Sequence, residues 1–142
     1  MPDESLLRAL RGAAARGVKV RVIVPQKVDS VMTRYASRSY YDDLLNSGIE
    51  LYLYHGGLLH TKSITVDGHV SMFGTVNFDM RSLWLNYEVA LFVYDDGFGK
   101  KLRDLQQSYL DDSEIVDRGS WSKRSFAERL LENTLRLVSP LL

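Results

Sequence analysis

Residues 59–68 read Leu59-His60-Thr61-Lys62-Ser63-Ile64-Thr65-Val66-Asp67-Gly68, and Gly74-Thr75-Val76-Asn77 follows soon after. The first run mixes β-branched and polar residues and ends in Asp67-Gly68, a dipeptide suited to a tight hairpin turn. Residues 59–66 are therefore predicted to form a strand entering a hairpin. On a strand, residues two apart share a face, which places the imidazole of His60 and the ammonium of Lys62 on one side, about 6.6 Å apart along the backbone. Two such groups can grip one anion. Lysine is a compact cation for phosphate, and a histidine that titrates near neutrality can attack phosphorus or pass on a proton.

Outward from this stretch the chain reads as an α/β domain. Asp3 or Ser5 can cap a first helix that Gly17 stops, and residues 18–24 alternate and then turn wholly apolar, as a strand entering a buried sheet does. Asp29 or Ser30 can cap a second helix running to Asn46. Arg34, Arg38, Tyr40 and Tyr41 on it read either as a solvated face with aromatic packing or as a place where an arginine approaches phosphate. Residues 49–54 alternate as a strand, and 70–73 return across the hairpin. The apolar run 85–94, which contains Glu88, is predicted as a central strand. Residues 97–112 fit an amphipathic helix and 115–116 a short edge strand. A last helix over 123–138 gathers Phe126, Leu130, Leu131, Leu135 and Val138 near one face, expected to dock on the core. The alternative is contact with membrane headgroups, helped by the apolar Pro140-Leu141-Leu142 tail. A mixed sheet with helices on both faces is the expected architecture, in one domain over residues 1–142.

Composition bounds the function. A chain of 142 residues with 45% hydrophobic and 25% charged residues is in the ordinary globular range. Eighteen basic residues balance eighteen acidic ones, so no global field draws the chain to nucleic acid, and no nucleic-acid partner is expected. With no cysteine, thiolate metal sites are excluded, and three scattered histidines do not make a metal centre; no metal or other cofactor is expected. No apolar run approaches the roughly 18 residues that span a bilayer, and Met1-Pro2-Asp3-Glu4 does not open a secretory signal, so this piece is expected to be soluble.

His60, Lys62 and Asp67 resemble the His-Lys-Asp signature of the phospholipase D superfamily, and Gly74, Thr75 and Asn77 resemble the motif that follows it there. The flanks, His55-Gly56-Gly57-Leu58-Leu59 and Phe78-Asp79-Met80-Arg81-Ser82, are more narrowly similar to the C-terminal half of bacterial cardiolipin synthases. The resemblance implies a membrane enzyme of phospholipid biosynthesis with two copies of the motif facing each other. One histidine takes up the phosphatidyl group while the other protonates the leaving alcohol, so that two phosphatidylglycerols become cardiolipin and glycerol. This chain, with one copy, would be the C-terminal catalytic half-domain, inactive or weakly active alone, completed by the N-terminal half or by a homodimer mate. The full-length protein would lie at the cytoplasmic side of the bacterial inner membrane.

By the same resemblance His60, Lys62 and Asp67 form the catalytic set. Lys62, Asn77, Thr75 and Arg81 would bind substrate phosphate, and Glu88 would fix the tautomer of His60 from behind. Asp67 has a second reading: beside Gly68 it is a turn former whose carboxylate accepts local backbone hydrogen bonds. Arg81 can equally pair with Asp79. Phospholipid hydrolysis, nucleic-acid cleavage, or a catalytically incomplete phosphate-binding or dimerisation domain are the alternatives.

Overall fold

The computed structural model describes residues 3–28, 30–77 and 79–137, without the side chains of Val31, Met80, Arg81, Arg136 and Leu137. The alternative cap Asp29, the Val138 end of the last helix and the 140–142 tail lie outside these described residues.

Helix α1 (Glu4–Ala15) begins at Asp3, whose Oδ1 accepts from the backbone N–H groups of Ser5 at 2.8 Å and Leu6 at 3.2 Å. Its other oxygen accepts from the Trp84 indole at 2.9 Å, so the cap also ties down a distant helix. Strand β1 (Arg21–Pro25) pairs in parallel with β2 (Glu50–Tyr54), and β6 (Ser113–Ile115) lies antiparallel on the other side of β2. Between β1 and β2 come α2 (Val31–Arg38) and α3 (Tyr41–Asn46). Leu7, Tyr41, Leu44, Leu45, Ile49 and Leu51 form the buried core on this sheet, with Val20, Val22, Val24 and Leu53 packed against it.

The second sheet has the order β3 (Lys62–Val66), β4 (Val70–Gly74), β5 (Ala90–Tyr94), all antiparallel. Helix α4 (Met80–Trp84) lies between β4 and β5, and α5 (Asp96–Asp111) follows, capped by Asp95 and packed across the second sheet and against β2 and β6. Phe98 of α5 stacks on Phe73 of β4 with centroids 5.4 Å apart. Helices α6 (Arg118–Ser122) and α7 (Phe126–Leu137) close the described chain.

The α/β architecture expected from the sequence is present, with four differences in detail. The single mixed sheet is two three-stranded sheets, of which only the first is mixed. The helix expected over 30–46 is broken at 39–40, where the Ser39 hydroxyl donates to the Ala36 carbonyl at 2.7 Å and the Tyr40 N–H turns back to Ser37. A side chain that competes for backbone groups ends the helix there.

The apolar run 85–94 is not a central strand. Only Ala90–Tyr94 is strand, it pairs with β4 alone among the described residues, and Leu91, Phe92 and Tyr94 are exposed. The helix expected over 123–138 is α7, which starts at Phe126 after the separate short α6, but it does not dock by its apolar face: Phe126 is 79% exposed and Leu130 and Leu131 also face solvent. Its inward residue is Glu132, 2% exposed, paired with Arg124 and lying 3.0 Å from Arg38. Arg124 also clasps Asp42 at 2.9 Å and lies 3.6 Å from the Trp121 ring. A buried carboxylate meeting two guanidinium groups outweighs the apolar stripe in deciding which side of α7 turns inward, because an unpaired charge in that place is costly.

Candidate active site

Strand register gathers the motif residues at one end of the second sheet. Lys62 opposes Gly74, and Gly74 opposes Ala90, so the start of β3, the end of β4 and the start of β5 form one row. His60 lies two residues before the row, Thr75 and Asn77 just after β4, and Glu88 two residues before Ala90. Gly74 is required by crowding: a Cβ there would collide with the Val89 carbonyl oxygen and the Ala90 backbone. The close approach lets Thr75 donate its N–H to that carbonyl at 2.9 Å.

His60 precedes β3 instead of lying in it, yet the chain stays extended enough for the two side chains to meet. The Lys62 Nζ is 3.0 Å from both Nδ1 and Nε2 of His60. A neutral imidazole offers one acceptor nitrogen, the other carrying its proton, so two equal distances mark proximity at the ring edge more than an aligned hydrogen bond. A cleft of about 250 Å³ is lined by Ile23, Pro25, Leu59, His60, Thr61, Lys62, Ser63 and Asn77. It lies at the carboxyl end of β1, where open α/β sheets commonly take ligands. Imidazole, ammonium and carboxamide thus line one cleft together with the apolar Ile23, Pro25 and Leu59. The sequence reading missed Ile23 and Pro25. The signal was present: both fall at the carboxyl end of a strand predicted to enter a buried sheet.

The remaining motif residues sit further out. The Thr75 hydroxyl accepts from the Val89 N–H at 3.0 Å. Its hydrogen bond to Glu88 holds that carboxyl below the usual carboxylate range, against some desolvation and with help from Asn86, Ser82 and the charge of Lys62. Glu88 therefore faces Thr75 and Lys62, and among the described residues it makes no hydrogen bond or ion pair with His60. Asp67 and Gly68 both adopt left-handed backbone, φ 52° and 79°, and the His69 N–H closes the turn on Val66 at 3.1 Å. This is the turn the Asp-Gly pair selects, and it puts Asp67 at the far end of β3 from the cleft, about 17 Å along the strand from Lys62.

The Arg81 side chain lies outside the described residues, and Asp79 accepts from the Ser82 N–H at 2.8 Å. Of Arg34 and Arg38, the α2 arginines also offered for phosphate, Arg38 is engaged by Glu132. His55 faces Glu114 at 3.5 Å and His69 faces Asp96 at 2.5 Å; neither lines the cleft. What the cleft can do chemically is hold a tetrahedral anion against Lys62 and Asn77 with an imidazole in reach of its centre or of an oxygen.

Residues 1–112 match the family model described as cardiolipin synthase, phospholipase D-like domain. This chain belongs to that family. It is 48% identical over all 142 residues to cardiolipin synthase A of Erwinia tasmaniensis and 49% identical to that of Serratia proteamaculans, in each case spanning 29% of the relative's length. In fold it is similar to Nuc, a phospholipase D family member from Salmonella typhimurium, with a TM-score of 0.71 at 22% identity, over 82% of this chain and 76% of that one.

Proposed function

We propose that this chain is the C-terminal half-site of a cardiolipin-synthase-type phosphatidyltransferase. The observation that carries the reading is the cleft that unites His60, Lys62 and Asn77, in a chain similar over its whole length to cardiolipin synthases. Lys62 and Asn77 hold two phosphate oxygens of phosphatidylglycerol. One of the two motif histidines attacks phosphorus, forming a P–N bond as the P–O bond to the headgroup glycerol breaks; the other gives that glycerol its proton. A hydroxyl of a second phosphatidylglycerol then loses its proton to the same base and attacks phosphorus, and the P–N bond breaks to release cardiolipin. His60 is assigned the proton-donor role. Glu88 serves the site through Thr75 and the charge of Lys62.

A single histidine supplies one of these two roles, so the chain needs a second half-site. The exposed Leu91, Phe92 and Tyr94 of β5 suit that contact, whether with the N-terminal half or with a second copy. Among the described residues no helix is long and apolar enough to cross a membrane, so anchorage at the cytoplasmic face of the inner membrane falls to other parts of the full-length protein.

Cardiolipin formation from phosphatidylglycerol in mixed micelles tests the reading, with full-length enzyme, chain alone, and chain plus N-terminal half. Turnover is expected in the first and third and to vanish with His60→Ala; full turnover by His60→Ala in the full-length enzyme sinks the assignment. Release of phosphatidic acid without cardiolipin would make the enzyme a hydrolase instead.

A further inference from the structure

The alternation of the motif strand has a second side. Lys62 and Ile64 point one way, and Thr61, Ser63 and Thr65 the other, toward α5. All three hydroxyl residues are engaged by that helix. The Gln106 carboxamide bridges two of them: its Nε2 donates to Ser63 Oγ at 3.0 Å and its Oε1 accepts from Thr65 Oγ1 at 2.6 Å. One turn along α5, the Tyr109 hydroxyl is 3.0 Å from Thr61 Oγ1, between His60 and Lys62 in sequence. The Tyr109 ring in turn packs edge-on against Tyr54, the last residue of β2, with centroids 5.6 Å apart. Helix α5 therefore fastens the motif strand and also touches the first sheet.

We propose that Gln106, seconded by Tyr109, is a positioning residue that fixes the rotation of the motif segment and so aims His60 and Lys62 into the cleft. The inference rests on the half-site reading above. Apolar packing would leave a strand free to roll or slide by a fraction of an ångström, whereas a carboxamide bonded to residues i and i+2 fixes both the roll and the position along the strand. Fixing the odd-numbered side fixes the even-numbered side, because the two share one backbone. Gln106 touches neither phosphate nor imidazole in this arrangement; it acts through Ser63 and Thr65.

The test uses the full-length enzyme, with residues numbered as in this chain. Gln106→Leu keeps the bulk and removes both bonds, while Gln106→Glu keeps an acceptor for both hydroxyls. Gln106→Leu is expected to lower kcat on the order of tenfold with KM for phosphatidylglycerol within about twofold, since misplacement by an ångström costs up to about 10²-fold. Gln106→Glu is expected to restore kcat to within about threefold of wild type, because a hydroxyl can rotate to donate to a carboxylate. Ser63→Ala with Thr65→Val should reproduce the Gln106→Leu loss, and the triple variant should lose no more than either. Unchanged kcat in Gln106→Leu, a KM effect alone, an equal fall in Gln106→Glu, or additive losses in the triple variant would each overturn the proposal. If the wild-type enzyme forms no cardiolipin, the functional reading falls by itself. The geometry is then judged from the His60 imidazole NMR signals of this chain, expected to shift in Gln106→Leu and hold in Gln106→Glu; signals unmoved in both would overturn it.

Discussion

The two sheets hold together by different means. The first, β1-β2-β6, is covered by α1 and α3 through Leu7, Leu44, Leu45 and a wholly buried Leu51, and its stability is ordinary apolar burial. The second, β3-β4-β5, meets α5 through Phe73 on Phe98 and through the hydroxyl and carboxamide bonds of Thr61, Ser63 and Thr65, while its β5 edge stays open. Burial is non-directional and serves a scaffold; hydrogen bonds fix orientation and serve a site. The sheet that carries the motif is the one whose attachment is directional.

Breaking the scaffold should therefore have the largest effect on stability. Leu51→Ala is expected to cost about 4 kcal/mol, within the range of about 2–5 for buried leucine, read as a lower urea midpoint at unchanged slope. Glu132→Ala comes next, at about 3 kcal/mol, because it leaves Arg38 and Arg124 turned inward without their shared carboxylate, although Arg124 keeps Asp42. Urea unfolding followed by tryptophan fluorescence measures this, since both guanidinium groups lie over the Trp121 ring.

The scaffold also sets an alkaline limit. Burial, opposed by the charges of Arg38 and Arg34, pushes the Tyr41 hydroxyl up from 10 to about 12. The folded state then keeps a proton that the unfolded state releases, so this contribution is complete below pH 10 and is lost as pH rises from 10 to 12. At pH 11 the loss amounts to about 1.4 kcal/mol. Tyr41→Phe should unfold less steeply with pH over that window; parallel curves for the two proteins would show that the ring is not held away from water.

Much of the first sheet is legible in the sequence because its signals are local. The Asp3 cap, the alternation before Pro25 and the apolar spacing of Leu44 and Leu45 act within a few residues of where they are read. The motif residues that reach the cleft, His60, Lys62 and Asn77, are likewise legible as a spaced set. What was not legible depends on distant partners. The inward turn of Glu132 is decided by Arg38, far back in the chain, and by Arg124, which distant Asp42 holds in place, and the amphipathic pattern of α7 gives no hint of them. An apolar run such as 85–94 says that something must be covered, but not whether this chain does the covering. Gln106 looks like one more polar residue on a helix until Ser63 and Thr65 are set opposite it.

The smallest effect on stability is expected where the contrast is sharpest. Ile64, Met72 and Phe92 form one register row on the side of the second sheet away from α5, and at its open end Phe92 is 61% exposed. Phe92→Ser should change the unfolding free energy of this chain by less than about 0.5 kcal/mol, as for surface substitutions generally. In sedimentation and in reconstitution with the N-terminal half, the same substitution should weaken association about tenfold or more, since a buried aromatic anchor at an interface is commonly worth 2 kcal/mol or above. Stability and association respond together only if Phe92 packs within its own chain. A loss above about 1 kcal/mol in the isolated chain would therefore mean that β5 belongs to the scaffold after all. Intact stability with intact association would move the partner surface elsewhere, to the outward Phe126 and Leu130 of α7.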